Sequence, residues 1–211
     1  MKCLVLSGVH GHWPALKAVL RAEADADQIL CLGELAGCNP QSANCVAWAM
    51  QLQPPDQIVC APSFASSLLS SEALQFLASL VPLRQFHLGP FLCLACHRVA
   101  GHSLNRQDFE RLRDRHWNST ELARMHSDLI LTGVPGKLFV LAGHPDFLFL
   151  GDGDQPLHME LNGTVIINPG CLCAHHDGRA AYALWEDGIV TLRQLSYGAQ
   201  EPERCEMEMA V

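Results

Sequence analysis

The chain has 211 residues, of which 49% are apolar and 17% are charged, and its mean hydropathy is +0.10. This composition supplies enough apolar sequence for the core of one globular domain and excludes intrinsic disorder and collagen-like repeats. Lys and Arg number 14 against 22 Asp and Glu, which gives a formal net charge of −8. Such a charge repels phosphate backbones and anionic lipid surfaces, so neither nucleic acid nor a membrane is expected as a partner.

Whether the 10 cysteines form disulfides or remain reduced depends on the compartment in which the protein is found. The amino terminus offers one positive charge, Lys2, and too few apolar residues before Ser7 for a signal-peptide core. No run approaches the roughly 20 apolar residues that cross a bilayer. We therefore expect a cytoplasmic protein with reduced thiols, in which cysteines are buried or bind metal rather than form a disulfide framework.

The first half of the chain alternates between apolar runs and helical patterns. Strands are predicted at 2–6, 28–32 and 57–60, and helices are predicted from Pro14 onward, at about 42–53 and at about 73–80. This strand–helix alternation is typical of a doubly wound sheet built by right-handed crossovers.

The second half changes to short strands. A strand is predicted at 91–96 and a charged helical region at about 106–126, followed by strands at 129–132, 138–141, 147–150, 157–161, 164–167, 180–185 and 189–195. Asn162 and Gly163 form a strong hairpin signal because both residues tolerate positive φ. The pattern predicts two packed sheets in a single domain spanning residues 1–211, with a loose tail from about residue 198.

Polar residues follow several predicted strands at the edge where α/β sheets collect ligands. They are His10, Glu34, His97, Asp152 and Asp154. Imidazole and carboxylate groups suit Zn, Mn or Fe, so these residues form a candidate metal site. The alternative is that each is an ordinary polar loop residue.

Three segments carry a family resemblance. They are Gly8-Val9-His10-Gly11-His12-Trp13-Pro14-Ala15-Leu16, then Gly33-Glu34-Leu35-Ala36-Gly37 with Asn39-Pro40, and Asn168-Pro169-Gly170-Cys171 followed by the strand pattern of 177–184. From residue 2 to about 196 the chain resembles the calcineurin-like metallophosphoesterases, in particular the small bacterial and archaeal phosphodiesterases. The resemblance implies an α/β fold, a four-layer αββα sandwich of two mixed β-sheets flanked by helices.

The resemblance also implies a phosphoester substrate and divalent metal ions such as Mn, Fe, Zn or Ni, but several family residues are replaced. Gly8 stands where the family has its first aspartate, and Glu34 stands where it has a metal-bridging aspartate. The segment 61–64 replaces the family's Gly-Asn-His-Asp loop, which removes an asparagine ligand and the histidine that assists the leaving group.

The family's last motif, Gly-His-x-His-x-Pro, has three candidate registers. Residues 133–136 offer no ligands, residues 143–146 offer His144 and Asp146, and residues 151–156 offer Asp152 and Asp154. The third register keeps the glycine and the proline and leads into the predicted hairpin, so we favour it and take His144 and Asp146 as the alternative.

Two outcomes are open for this site. It is either a retired site on an intact scaffold, with a non-catalytic binding role and no cofactor, or a remodelled, more carboxylate-rich site that still holds a divalent metal and hydrolyses phosphoesters. Since a lost ligand leaves a hard cation undercoordinated, we favour weak or absent phosphoesterase activity.

The cysteines offer further alternatives. Cys93-Leu94-Ala95-Cys96-His97 matches a haem-attachment string, but its apolar strand context disfavours haem. A zinc site from Cys93, Cys96, Cys171 and Cys173 is a second alternative, weakened because residues three apart on a strand do not share a face. We favour small buried residues in strands for Cys3, Cys31, Cys60 and Cys93.

Overall fold

The computed structural model describes residues 1–54, 57–58, 68–81, 83–97, 145–151, 155–161, 163–173, 178–197 and 204–206. The helices in these ranges are α1 (Trp13–Ala22), α2 (Ser42–Ala49) and α3 (Ser71–Ser79). The strands are β1 (Lys2–Leu6), β2 (Gln28–Cys31), β3 (Gln57–Ile58), β4 (Leu83–Leu88), β5 (Phe91–Cys96), β6 (Phe147–Leu150), β7 (Leu157–Leu161), β8 (Thr164–Asn168), β9 (Arg179–Glu186), β10 (Ile189–Ser196) and β11 (Arg204–Glu206).

The strands form two mixed sheets. The six-stranded sheet has the order β11-β10-β9-β1-β2-β3, with β1, β2 and β3 parallel and the β1–β9, β9–β10 and β10–β11 pairs antiparallel. The five-stranded sheet has the order β4-β5-β6-β8-β7, with β5, β6 and β8 parallel and both edge strands antiparallel to their neighbours. Both parallel blocks therefore present carboxyl ends at which polar residues can gather.

Strand β1 separates two apolar cores because successive side chains point to opposite faces. Leu4 and Leu6 belong to a core shared with residues of the three helices, whereas Cys3 and Val5 belong to a core shared with the five-stranded sheet. The second core contains Trp185, whose ring meets Phe91 and Phe147 edge to face at centroid distances of 5.8 and 6.0 Å. The result is the expected α/β sandwich of two mixed sheets, with α1, α2 and α3 against one sheet.

The start of α1 is fixed by the residue before it. The Nδ1 atom of His12 accepts a hydrogen bond from the backbone N–H of Ala15 at 3.2 Å, and Pro14 occupies the first turn. This N-cap satisfies a donor that the helix itself leaves without a partner. Helix α1 therefore begins directly after the loop that carries His10.

Most predicted elements within the described ranges are confirmed. As the Asn162-Gly163 signal predicts, β7 pairs with β8 in an antiparallel arrangement, and Leu161 is paired with Thr164. Strand β4 was not predicted, and α2 ends at Ala49, earlier than expected. Within the tail expected to be loose, Arg204–Glu206 forms β11 beside β10.

Some predicted elements lie outside the described residues, namely the helical region at 106–126 and the strands at 129–132 and 138–141. Among the helices that are described, none has the length and apolar character needed to span a bilayer.

Candidate active site

Two loops at the carboxyl ends of β1 and β2 are joined through their backbones. The N–H of His10 donates to the carbonyl of Glu34 at 2.6 Å, and the N–H of Gly11 donates to the carbonyl of Leu35 at 3.0 Å. His10 and Glu34 both lie in the left-handed backbone region, with φ of 46° and 52°. Non-glycine residues adopt this conformation rarely, and it concentrates at functional sites, so these loops are held in a specific shape.

Glu34 lies between two histidines. Its Oε2 atom is 2.9 Å from Nε2 of His10, and its Oε1 atom is 3.7 Å from Nε2 of His97. His97 follows β5 and is buried, with 2% of its side chain exposed, whereas His10 is half-exposed. The structure thus brings together three of the residues predicted to bind metal, from the ends of β1, β2 and β5.

The charges in this group stabilise one another. Hydrogen bonds to Cys171 and Glu34 raise the pKa of His10 to about 10. Burial opposes ionisation of Glu34, but its contacts with His10 and His97 outweigh burial and hold the pKa of its carboxyl well below the ordinary value. At neutral pH the pair is therefore an imidazolium beside a carboxylate.

The ring of His97 is oriented by the sheet next to it. Its Nδ1 atom lies 2.7 Å from the carbonyl oxygen of Leu32, so Nδ1 carries a proton and donates it, which turns Nε2 toward Glu34. Gly151, directly after β6, packs against the same ring, and a Cβ atom at this position would lie 2.9 Å from Nδ1 of His97. Only glycine leaves room for the imidazole here.

Sulfur occupies the space beside the first loop. Gly8 has a φ of +56°, and a Cβ atom there would lie 2.5 Å from Sγ of Cys171. That sulfur lies 3.1 Å from the carbonyl oxygen of Gly8 and 3.7 Å from Sγ of Cys173. The hydrogen bonds from Cys173 and His10 outweigh burial and lower the pKa of the Cys171 thiol.

Of the remaining predicted ligands, only Asp146 lies within the described residues. Asp152, Asp154 and His144 lie outside the described residues, as does the segment 61–64. Asp146 lies before β6, where its Oδ2 atom accepts a hydrogen bond from the N–H of Leu92 at 2.7 Å. Leu92 is near the start of β5, so Asp146 lies at the opposite end of the strands from His97.

Sequence reasoning did not place Cys171 and Cys173 beside His10. The spacing of the two cysteines is visible in the sequence, but it groups them with Cys93 and Cys96, which are buried within β5. The sequence does hold a signal, since position 8 is a glycine without a side chain and position 171 carries a sulfur. Only the pairing of β1 with β9, and the turn before β9, bring these two changes together.

Comparisons with known proteins give the fold. No protein-family model matches the chain, and no curated protein matches it. Among solved structures, a metallophosphoesterase from Sphaerobacter thermophilus is 23% identical with a TM-score of 0.63, covering 93% of this chain and 89% of its own. An archaeal phosphodiesterase is 12% identical with a TM-score of 0.52, covering 98% of this chain and 100% of its own.

A third solved structure has a different description. Vacuolar Protein Sorting 29 from Cryptosporidium parvum is 14% identical with a TM-score of 0.55, covering 100% of this chain and 98% of its own. The chain therefore has the metallophosphoesterase fold that its motifs led us to expect. Since proteins with different descriptions share this fold, the side chains must decide the function.

The described donors at the first loop differ from those that the resemblance implies. Position 8 has no side chain, and the space that one would fill is occupied by Cys171. Glu34 contacts both His10 and His97, and within the described residues the thiols of Cys171 and Cys173 also lie beside His10. At position 8 the described residues thus offer no carboxylate of the kind that the resemblance implies, and a sulfur lies in its place.

Proposed function

We propose that this chain uses the metallophosphoesterase fold as a non-catalytic binding module with little or no phosphoesterase activity. The observation that carries the proposal is the contact between Gly8 and Cys171, since a Cβ atom on Gly8 would lie 2.5 Å from the sulfur. A metal ligand at position 8 is therefore missing, and its space is filled. Without that ligand a hard cation is undercoordinated, which removes most of the activation of a phosphoester.

The fold is compatible with this role. One similar structure is described as a protein of vacuolar sorting and others as phosphodiesterase or metallophosphoesterase. The net charge of −8 supports a partner other than nucleic acid or an anionic membrane. The many cysteines favour a reducing compartment, so we also propose a cytoplasmic location.

Hydrolysis of an aryl phosphodiester in the presence of Mn²⁺ tests the proposal. The matched control is His10→Gln, which removes a candidate ligand and defines the background rate. We expect the wild-type protein and this variant to be equally slow. Saturable turnover by the wild type that the variant lacks would overturn the proposal.

A second candidate function is an active, metal-dependent phosphoesterase with a more carboxylate-rich site. The observation in its favour is the position of Gly151 against His97, because the chain passes from Gly151 directly into Asp152, Gly153 and Asp154. His10, Glu34, His97, Asp152 and Asp154 would then hold a divalent ion, which supplies Lewis-acid activation of the ester.

This candidate predicts a distinct pattern of variants. Asp152→Asn and Asp154→Asn should each abolish turnover. Asp146→Asn is the matched control, since Asp146 lies at the far end of β6 and an asparagine oxygen can still accept the hydrogen bond from Leu92. Equal turnover in all three variants would contradict this second function.

A further inference from the structure

A second donor set lies next to the His10–Glu34 pair. One imidazole nitrogen of His10 and the sulfurs of Cys171 and Cys173 all lie within 4.8 Å of one another. The two sulfurs are 3.7 Å apart. A tetrahedral zinc ion with Zn–S bonds of about 2.3 Å requires its two sulfur ligands to be about 3.8 Å apart. The cysteines are therefore already separated as zinc ligands would be.

The backbone holds both thiols in place. After β8, the N–H of Gly170 donates to the Asn168 side chain at 2.9 Å, and the N–H of Leu172 donates to the carbonyl of Ser7 at 2.9 Å. Leu172 is fully buried in the core shared with the helices. The turn that carries Cys171 and Cys173 is thus fixed against the loop of Gly8 and His10, so the donors need little rearrangement to bind an ion.

The chemistry of these donors selects the ion. Thiolate sulfur is a soft ligand that favours Zn²⁺ over Mn²⁺ or Mg²⁺, which prefer oxygen. Glu34, at 2.9 Å from Nε2 of His10, can orient the imidazole as carboxylates do beside metal-binding histidines. Three protein ligands leave a fourth tetrahedral position for water or for the Glu34 carboxylate.

We infer that His10, Cys171 and Cys173 form a binding site for a thiophilic divalent cation, best matched by Zn²⁺. Binding requires a neutral His10 imidazole and two thiolates, so the extra proton of the imidazolium and the protons carried by the two sulfurs are released to solvent as the ion is taken up. The site differs from the oxygen-rich centre that the family motifs imply, because sulfur from the β8–β9 turn occupies the place of a carboxylate at position 8. The inference does not depend on whether the protein hydrolyses phosphoesters.

Titration of the reduced, chelator-treated full chain with Co²⁺ tests the inference. Simple zinc uptake is not sufficient, because the chain has 11 histidines that can bind zinc elsewhere. We expect one Co²⁺ per chain with a sulfur-to-cobalt charge-transfer band in the near ultraviolet. Zn²⁺ should abolish that band at equimolar concentration, whereas an excess of Mn²⁺ should leave it unchanged.

Variants assign the band to particular sulfurs. Cys171→Ser and Cys173→Ser should each remove the band or weaken binding more than about 100-fold, exceeding the loss typical of an outer-shell partner. Cys38→Ser is the matched control, since Cys38 is exposed and lies outside the donor set. Circular dichroism establishes that each variant is folded.

If a variant fails to fold, the titration of the wild-type protein still tests the inferred cation site. Absence of the charge-transfer band, or its loss upon addition of Mn²⁺, would overturn the inference. Persistence of the band in folded Cys171→Ser and Cys173→Ser would overturn it as well. None of these outcomes determines the result of the ester-hydrolysis assay, so the metal site and the proposed function can each be disproved without the other.

Discussion

The sulfur of Cys171 lies where a side chain on Gly8 would have to be. A Cβ atom built on Gly8 would approach Sγ of Cys171 to 2.5 Å, and the sulfur is 3.1 Å from the Gly8 carbonyl oxygen. The two residues are 163 positions apart and meet through the turn between β8 and β9. The missing carboxylate and the added sulfur are therefore one local change in the site rather than two separate losses.

Gly8→Ala should reveal this contact as a loss of stability. A left-handed backbone costs an L-residue about 1–2 kcal/mol, and overpacking against the sulfur adds about 1–3 kcal/mol. Gly89→Ala is the matched control, because Gly89 has a φ of +59° but no atom of the described residues lies within 4 Å of the position that a Cβ methyl group would take. Urea unfolding should show the larger loss at Gly8.

The same pair should show coupling in a double-mutant cycle. In a Cys171→Ala background the sulfur is gone, so Gly8→Ala should cost less than it does in the wild type. Equal costs in both backgrounds, or equal costs at Gly8 and Gly89, would mean that the sulfur does not restrict position 8.

Besides its place in the candidate site, His97 should stabilise the fold through its buried hydrogen bond. Its Nδ1 donates to the Leu32 carbonyl at 2.7 Å. His97→Asn keeps an amide N–H near the position of Nδ1, whereas His97→Gln moves it toward the position of Nε2. Loss of a buried partner costs about 1–3 kcal/mol, so unfolding measurements should show Gln to be more destabilising than Asn. The opposite order would argue against this hydrogen bond.

Glu23 at the end of α1 forms a buried cluster that joins the helix to the six-stranded sheet. Its carboxylate contacts the Tyr182 hydroxyl at 2.7 Å, Lys2 Nζ at 2.9 Å and Arg193 at 3.3 Å. Glu23→Gln should cost about 3 kcal/mol, at the low end for a broken buried pair because Lys2 and Arg193 are partly exposed.

Two further variants calibrate this cluster by thermal or urea unfolding. Tyr182→Phe removes one hydrogen bond and should cost about 1 kcal/mol. Asp25→Asn affects the same Lys2, but the Asp25 side chain is 74% exposed, so its loss should cost less than about 1 kcal/mol. If Glu23→Gln is as mild as Asp25→Asn, the buried cluster does not stabilise the fold.

The predictable part of the fold follows from burial. Strands such as β1, β5 and β6 are continuous apolar runs because both of their faces are covered, and these were predicted. Strand β4 was missed because it is an edge strand whose Arg84 and His87 are exposed, so its apolar run is broken. The three residues of β11 are too few to give a pattern.

The predictable part of the site follows from strand order. Residues directly after parallel strands meet at one edge, which is why His10, Glu34 and His97 were identified. The position of Cys171 and Cys173 beside His10 was not predicted, because it depends on the turn between β8 and β9, which lie in different sheets, and on the packing of Leu172. Neither of these leaves a local pattern in the sequence. Contacts between distant segments depend on packing rather than on spacing.

Alkaline pH should reveal the buried thiols. Burial raises the pKa of Cys45 and of Cys93 to about 12, whereas thiols in the unfolded chain lose their protons near pH 9. Because the pKa of each thiol is higher in the native state than in the unfolded state, the free energy of unfolding keeps its full value below pH 9. It then falls as the pH rises toward 12. Above pH 9 each thiol should lower the free energy of unfolding by about 1.4 kcal/mol per pH unit.

Cys93→Ala isolates one of these contributions. The variant is less stable at neutral pH because it leaves a small cavity, but its free energy of unfolding should fall less steeply above pH 9 than that of the wild type. Cys38→Ala is the control, since it removes a thiol that is already exposed in the native protein, and it should keep the wild-type slope. Urea unfolding in the presence of reductant between pH 8 and 10.5 measures both slopes. Parallel curves for wild type and Cys93→Ala would show that the thiol of Cys93 ionises without unfolding.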